Sequence, residues 1–114
     1  MGVPSYRNLR VWQKSFDLVK QIYNLTGELP KSEQFGLSSQ MQRCAVSIPS
    51  NIAEGQQRNN LREYKQFLGV ARGSAAELGT QLLLVQDVYD IDTREFVEQT
   101  DTIQKMLYGL LQNL

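Results

Sequence analysis

"NLREYKQFLGVARGSAAELGTQLLLVQDVY", residues 60–89, decides the fold. Tyr64, Leu68, Ala71, Ala75, Leu78, Leu82, Val85 and Tyr89 step by four and three along it. That spacing lays one apolar seam down a helix, of the kind that packs at shallow left-handed angles. Asn60 followed by Glu63 reads as a capping start, with Asn60 as the cap. A helix over 60–89 would be roughly 45 Å long at 1.5 Å per residue.

Three more helical periods surround it. Leu9, Trp12, Phe16, Val19 and Tyr23 mark a first helix over about 8–28, which Pro30 stops. Leu37, Met41, Cys44, Ala45, Ile48 and Ile52 mark a second over about 33–57. Phe96, Thr100, Ile103, Leu107, Leu110 and Leu114 mark a fourth, which Asp92 or Thr93 caps. Val, Ile and Thr nowhere alternate with polar residues for long, so strands are not expected. Short connections between long helices make antiparallel neighbours. The expected fold is all-α: a single domain over 1–114, an up-down-up-down left-handed four-helix bundle.

The second helix holds an irregularity, "SIPSNIAEG" at 47–55. Pro49 cannot donate to the carbonyl of Ala45, and its ring presses on that turn, so a kink is expected there. Ser47 and Ser50 can bond the backbone groups a kink frees. Ser47, Asn51 and Glu54 form a polar ridge beside the apolar stripe; Ser74, Glu77 and Gln81 form another on the third helix. Two such ridges can meet as a buried network that fixes helix register, or as a pair of carboxylates with a chemical role. The network is the preferred reading.

Some apolar and small residues fall outside the seams. Val11, Leu18, Ile22, Leu25 and Leu29 make a second stripe on the first helix, and Gly69, Gly73, Ala76 and Thr80 line another side of the third. Glycine inside a helix costs about 1 kcal/mol relative to alanine, so Gly69, Gly73 and Gly79 need an offset. Close approach of a second helix supplies one. Val11, Leu18, Ile22, Leu25, Gly69, Gly73 and Ala76 are therefore the candidate subunit interface of a homo-oligomer.

The 114 residues contain no histidine. That removes histidine acid–base chemistry, the histidine-activated nucleophiles and the usual zinc sets; bundle di-metal sites also rely on Glu-x-x-His. No Gly-rich phosphate loop is present. No enzyme, cofactor or metal is expected. One cysteine forms no internal disulfide, no apolar run is long enough to span a bilayer, and the N-terminal segment lacks a signal-peptide core, which together point to the cytoplasm. Net charge is zero, yet residues 1–72 carry ten basic and five acidic side chains and residues 73–114 two and seven. Arg7, Arg10, Lys14, Arg58, Arg62 and Lys65 are the candidate nucleic-acid contacts. A solvated surface would look the same.

"NLRVWQKSFDLVKQIYNLT" (8–26), "FGLSSQMQRCAVSIPSNIAEGQQR" (35–58) and "EYKQFLGVARGSAAELGTQL" (63–82) resemble the bacterial four-helix-bundle proteins encoded in intervening sequences of 23S ribosomal RNA genes. The resemblance implies a left-handed bundle assembled as a ring of five. It also implies kinship with accessory proteins of diversity-generating retroelements, whose basic pentamers bind nucleic acid and a reverse transcriptase; the zero net charge here departs from that branch. Ser47, Pro49, Asn51, Glu54, Gly55, Gly73, Ser74 and Glu77 stand at the family's hallmark positions. Two functions stay open: an oligomer that binds structured RNA or other nucleic acid, and a protein-interaction scaffold with none, each able to take a partner protein.

Overall fold

The computed structural model describes residues 5–114. Four α-helices follow one another: α1 Arg10–Thr26, α2 Leu37–Gln56, α3 Leu61–Tyr89 and α4 Arg94–Gln112. Short 3₁₀ turns precede α1 at Tyr6–Asn8 and α2 at Lys31–Glu33. Each helix packs against its two neighbours around a square, with α1 on α2 and α4, and α3 on α2 and α4. The bundle measures 48 × 22 × 20 Å, so α3 runs nearly its full length.

Local chemistry sets the boundaries. At the start of α3 the Asn60 side-chain oxygen Oδ1 accepts the Glu63 N–H at 2.8 Å, and its side-chain amide nitrogen donates to the Glu63 carboxylate at 2.7 Å. This satisfies one of the free donors every helix start leaves. At the other end of α3, Asp90 takes the left-handed conformation (φ 55°) and donates its N–H to the Gln86 carbonyl. Short polar side chains reach that region at least strain after glycine. Asp92 then caps α4: one carboxylate oxygen accepts the Arg94 N–H at 3.1 Å, and both oxygens take the Arg94 guanidinium. Those bonds hold the Asp92 carboxyl well below its usual range, at about 2. Thr93 is buried and spends its hydroxyl on the Leu82 carbonyl at 2.8 Å, tying the turn to α3.

The second helix begins later than the periodicity predicts. Gly36 precedes it, and Glu33 reaches forward to accept the Leu37 N–H at 3.2 Å. The same carboxylate accepts the Tyr89 hydroxyl, which clips the α1–α2 turn to the end of α3. From Leu37 the helix continues through Pro49, whose ring is buried.

The core draws on Met41, Ala45, Ile48 and Ile52 of α2, Leu68, Ala71, Ala75, Leu78, Leu82 and Val85 of α3, and Ile103 and Leu107 of α4. All follow the predicted seams. On α1 the two stripes trade places. Val11, Leu18, Ile22 and Leu25, expected at a subunit interface, lie inside the subunit's own core; Leu18 and Ile22 have no exposed surface. Phe16 and Tyr23, expected inside, are 46% and 50% exposed, and Leu9, Trp12 and Val19 are only partly covered. The reason is packing. Residues 11, 15, 18, 22 and 25 fall on one narrow arc, and Ser15 in their midst is fully buried with its hydroxyl on the Trp12 carbonyl. Compact aliphatic groups and a serine fit between three close helices. The large rings fit only at the margin, over α2.

Candidate nucleic-acid interface

An up-down-up-down chain places the start of α1, the end of α2, the start of α3 and the end of α4 at one end of the bundle. Arg7, Arg10, Arg58, Arg62 and Lys65 all belong to that end, with only Glu54 and Glu63 among them. The opposite end holds Glu28, Glu33, Asp87, Asp90, Asp92 and Glu95 against Lys31 and Arg94. The charge split along the sequence therefore becomes a split along the long axis.

The basic side chains differ in how free they are. Arg58 is committed: its guanidinium meets Glu54 at 2.8 Å and Glu63 at 3.8 Å, and lies 4.9 Å from the centre of the Phe67 ring. Arg7 lies over the Tyr6 ring at 5.6 Å with its charge exposed. Arg10, Arg62 and Lys65 are exposed and make no ion pair among the described residues. Lys14 stands apart from these. It lines a groove between α1 and α4 with Asp17, Glu95 and Glu98, where a phosphate would meet carboxylates. Four side chains, Arg7, Arg10, Arg62 and Lys65, thus make the accessible cationic surface.

Three of the hallmark residues, Ser47, Asn51 and Ser74, meet midway along the bundle where α2 packs on α3. The Ser47 and Ser74 hydroxyls bond each other at 2.9 Å, and the Asn51 amide donates to the Ser47 carbonyl at 2.7 Å and hydroxyl at 2.9 Å. The Cys44 thiol donates to the Ser74 carbonyl at 3.0 Å. Burial, and then the negative charge of Glu77, push that thiol up to about 12, which keeps it protonated as a hydrogen-bond donor. Ser47 thus joins two helices instead of serving the backbone around Pro49, and Ser50 is exposed. Glu54 and Glu77 are exposed as well, the first paired with Arg58 and the second with the Gln81 amide at 3.4 Å. Glu54 and Glu77 do not meet, so the alternative of a carboxylate pair is not formed, and in the preferred network the two glutamates take no part. The register-fixing contact is made by two serines, an asparagine and a thiol.

The hallmark glycines divide. A Cβ on Gly55 would stand 2.6 Å from Phe67 Cβ, so Gly55 lets α2 approach α3. Gly79, outside the hallmark set, does the same for α4, with Thr100 Oγ1 3.0 Å from its absent Cβ. Gly69 and Gly73 have nothing within 4 Å, and Ala76 beside them is exposed. Among the described residues no three Cys, Asp or Glu side chains gather as a metal site, and no helix is long and apolar enough to cross a membrane.

This geometry makes one stability prediction. Ser74→Ala should cost about 0.5–1.5 kcal/mol, the usual worth of a lost internal hydrogen bond. Glu54→Ala and Glu77→Ala should each change stability by less than about 1 kcal/mol, as exposed charges do. Urea unfolding of the three variants measures this; a larger loss at Glu77 than at Ser74 would contradict the assignment.

Sequence reading missed the aromatic cluster at the start of α1. The Tyr6 and Trp12 ring centres lie 5.4 Å apart edge to face, and those of Trp12 and Phe16 4.9 Å apart and stacked. For Trp12 and Phe16 the signal was present, since they share one predicted stripe, but that stripe was placed inside the bundle; Tyr6, in the turn before α1, lay outside it.

A family model described as 23S rRNA-intervening sequence protein matches residues 7–109. A solved structure of a protein with unknown function from the S23 ribosomal protein family of Bacteroides thetaiotaomicron VPI-5482 is similar, at 25% identity and a TM-score of 0.80. The match covers 90% of this chain and 95% of that one. No curated protein matches the sequence.

Proposed function

Since the chain belongs to the family of 23S rRNA-intervening sequence proteins, we propose that it is a non-catalytic, self-assembling bundle that docks structured RNA by one end. The observation that carries this reading is the collection of Arg7, Arg10, Arg62 and Lys65 at that end. Exposed, unpaired cations suit phosphates, whose neutralisation releases counterions and gives affinity without base reading. A-form RNA, recognised by shape and backbone more than by sequence, fits such a surface. Repetition of the end in an oligomer multiplies a weak contact through avidity. The second reading is a protein-interaction scaffold without nucleic acid, which the exposed apolar faces of α1 and α3 favour.

Titration of a fluorescent structured RNA tests the first reading. Four phosphate contacts on a duplex imply a loss of affinity on the order of a hundredfold between about 50 and 200 mM salt. Arg10→Glu with Arg62→Glu and Lys65→Glu should abolish binding at the lower salt, while Lys31→Glu at the far end should leave it intact. Absence of binding at the lower salt, or indifference to the triple reversal, would hand the function to the scaffold.

A further inference from the structure

A polar cleft of about 290 Å³ opens between α2 and α3 beside the serine pair. Gln40, Arg43, Cys44 and Ser47 line it from α2, and Ser74 and Glu77 from α3. No aliphatic or aromatic side chain is among them. Sites for drug-sized ligands run from about 300 to 1,000 Å³, so an occupant here has to be small. Two opposite charges stand on its walls. Ser47 faces Ser74 across antiparallel helices, so Arg43, one turn back on α2, and Glu77, one turn on along α3, stand at the same level. Both are exposed, yet they form no ion pair with each other or with any other described residue.

The floor has a hydrogen to give. The Ser47 and Ser74 oxygens share one hydrogen, and the Ser47 oxygen also accepts the Asn51 amide. Whichever serine donates, the hydroxyl hydrogen of the other finds no acceptor among the described residues. The Glu77 wall is held in place. Gln81 is only 5% exposed, and its amide nitrogen reaches the Glu77 carboxylate at 3.4 Å while its carbonyl oxygen stays buried without a partner among the described residues. A buried orphan of this kind is costly, and what it secures is the placement of Glu77. That carboxylate is felt inside the cleft: after burial, its charge is the next cause that keeps Cys44 protonated. We infer that this cleft binds a free α-amino acid with a small polar side chain. Glu77 takes the ammonium, the Arg43 guanidinium takes the carboxylate with two parallel N–H donors, and the spare serine hydrogen adds a third. The Gln40 amide is exposed beside them and is free to meet the side chain. A simple anion would gain Arg43 but face Glu77, and a simple cation the reverse. A longer peptide carries its ammonium and carboxylate at opposite ends and offers the cleft only one of them. The cleft lies away from the basic end, so this assignment is independent of RNA docking.

Chemical-shift titration of the isotope-labelled full chain with L-serine tests the site. A ligand this small should bind in the millimolar range. Saturable shifts should centre on the backbone amides of residues 40–47 and 74–81. Arg43→Gln and Glu77→Gln, both at exposed positions, should fold as the wild type does by circular dichroism and each weaken binding about tenfold or more, as loss of a charged hydrogen-bond partner does. Arg62→Glu, at the basic end, should leave it unchanged. N-acetyl-L-serine, which lacks the ammonium, and L-serinamide, which lacks the carboxylate, should each bind at least tenfold more weakly than L-serine. No saturable shift at tens of millimolar would overturn the assignment, as it would if Arg43 and Glu77 simply close on each other in solution. So would shifts centred elsewhere on the bundle, or equal binding of the two charge-deleted variants. Equal binding of N-acetyl-L-serine would make the cleft an anion site and overturn the zwitterion.

Discussion

Leu18→Ala should destabilise the protein by about 2–5 kcal/mol, the range for truncating a fully buried leucine. Leu18 has no exposed surface and sits among the aliphatic residues of three helices. Removing its isobutyl group loses transfer energy and leaves a hole that rigid neighbours close only in part. For a domain of this size the melting temperature should fall by roughly 10 °C or more. Phe16→Ala is the companion measurement. With 46% of its surface exposed, Phe16 should cost the isolated fold much less, about 1 kcal/mol, despite its greater volume. If Phe16 also sits between copies in an oligomer, its loss should reduce the dependence of melting on protein concentration that the wild type then shows. Denaturation of both variants at several concentrations separates the two roles. A larger concentration-independent loss for Phe16 than for Leu18 would reverse the orientation of α1.

The second large effect belongs to Gly55. A β-carbon there would meet Phe67 Cβ at 2.6 Å and Tyr64 Cδ1 at 3.2 Å. Phe67 Cβ is fixed to the α3 backbone, so no rotamer change relieves the clash; the helices must part. Gly55→Ala should cost about 1–3 kcal/mol from overpacking, even though alanine is the better helix former by about 1 kcal/mol. Gly55→Val should cost more. Gly109→Ala, in open space on α4, should be neutral or stabilise by up to about 1 kcal/mol. Denaturant midpoints at unchanged slope would record these differences. Stabilisation by Gly55→Ala would mean that α2 and α3 are not so close.

Much of this fold was legible because helical period is a strong signal where one stripe dominates. On α3 the buried residues are those the four-and-three spacing selects, and the Asn60 start is where the cap chemistry places it. On α1 two stripes compete, and sequence gives no rule for which one turns inward. Choosing the aromatic stripe followed hydrophobic size, whereas the close-packed interior selected shape; Ser15, buried between aliphatic residues, was the clue. The hydroxyl contact of Ser47 with Ser74 was only half legible. Two polar ridges were expected to meet, but which members touch depends on helix separation, which periodicity does not carry. Glu54 and Glu77, the most polar members, stay at the water edge because an unneutralised carboxylate is expensive to bury. The clustering of Arg7, Arg10, Arg62 and Lys65 followed once helix order was known, because antiparallel helices return the chain to the same end. Lys14 departed from it, because it turns toward the α1–α4 groove.

That axial arrangement makes zero net charge a poor guide to how the molecule behaves. Its monopole vanishes while its dipole moment is large and lies along the 48 Å axis. A polyanion a few ångströms from the basic end feels attraction, and the acidic end, far beyond a Debye length of about 8 Å at physiological salt, is screened from it. The field of a polyanion would also exert a torque, turning the basic end toward it and the acidic end outward. In a head-to-tail ring whose subunits stand parallel, the individual moments add. Such an assembly would have one cationic rim and one anionic rim, and two of them would meet more favourably rim to opposite rim than like to like.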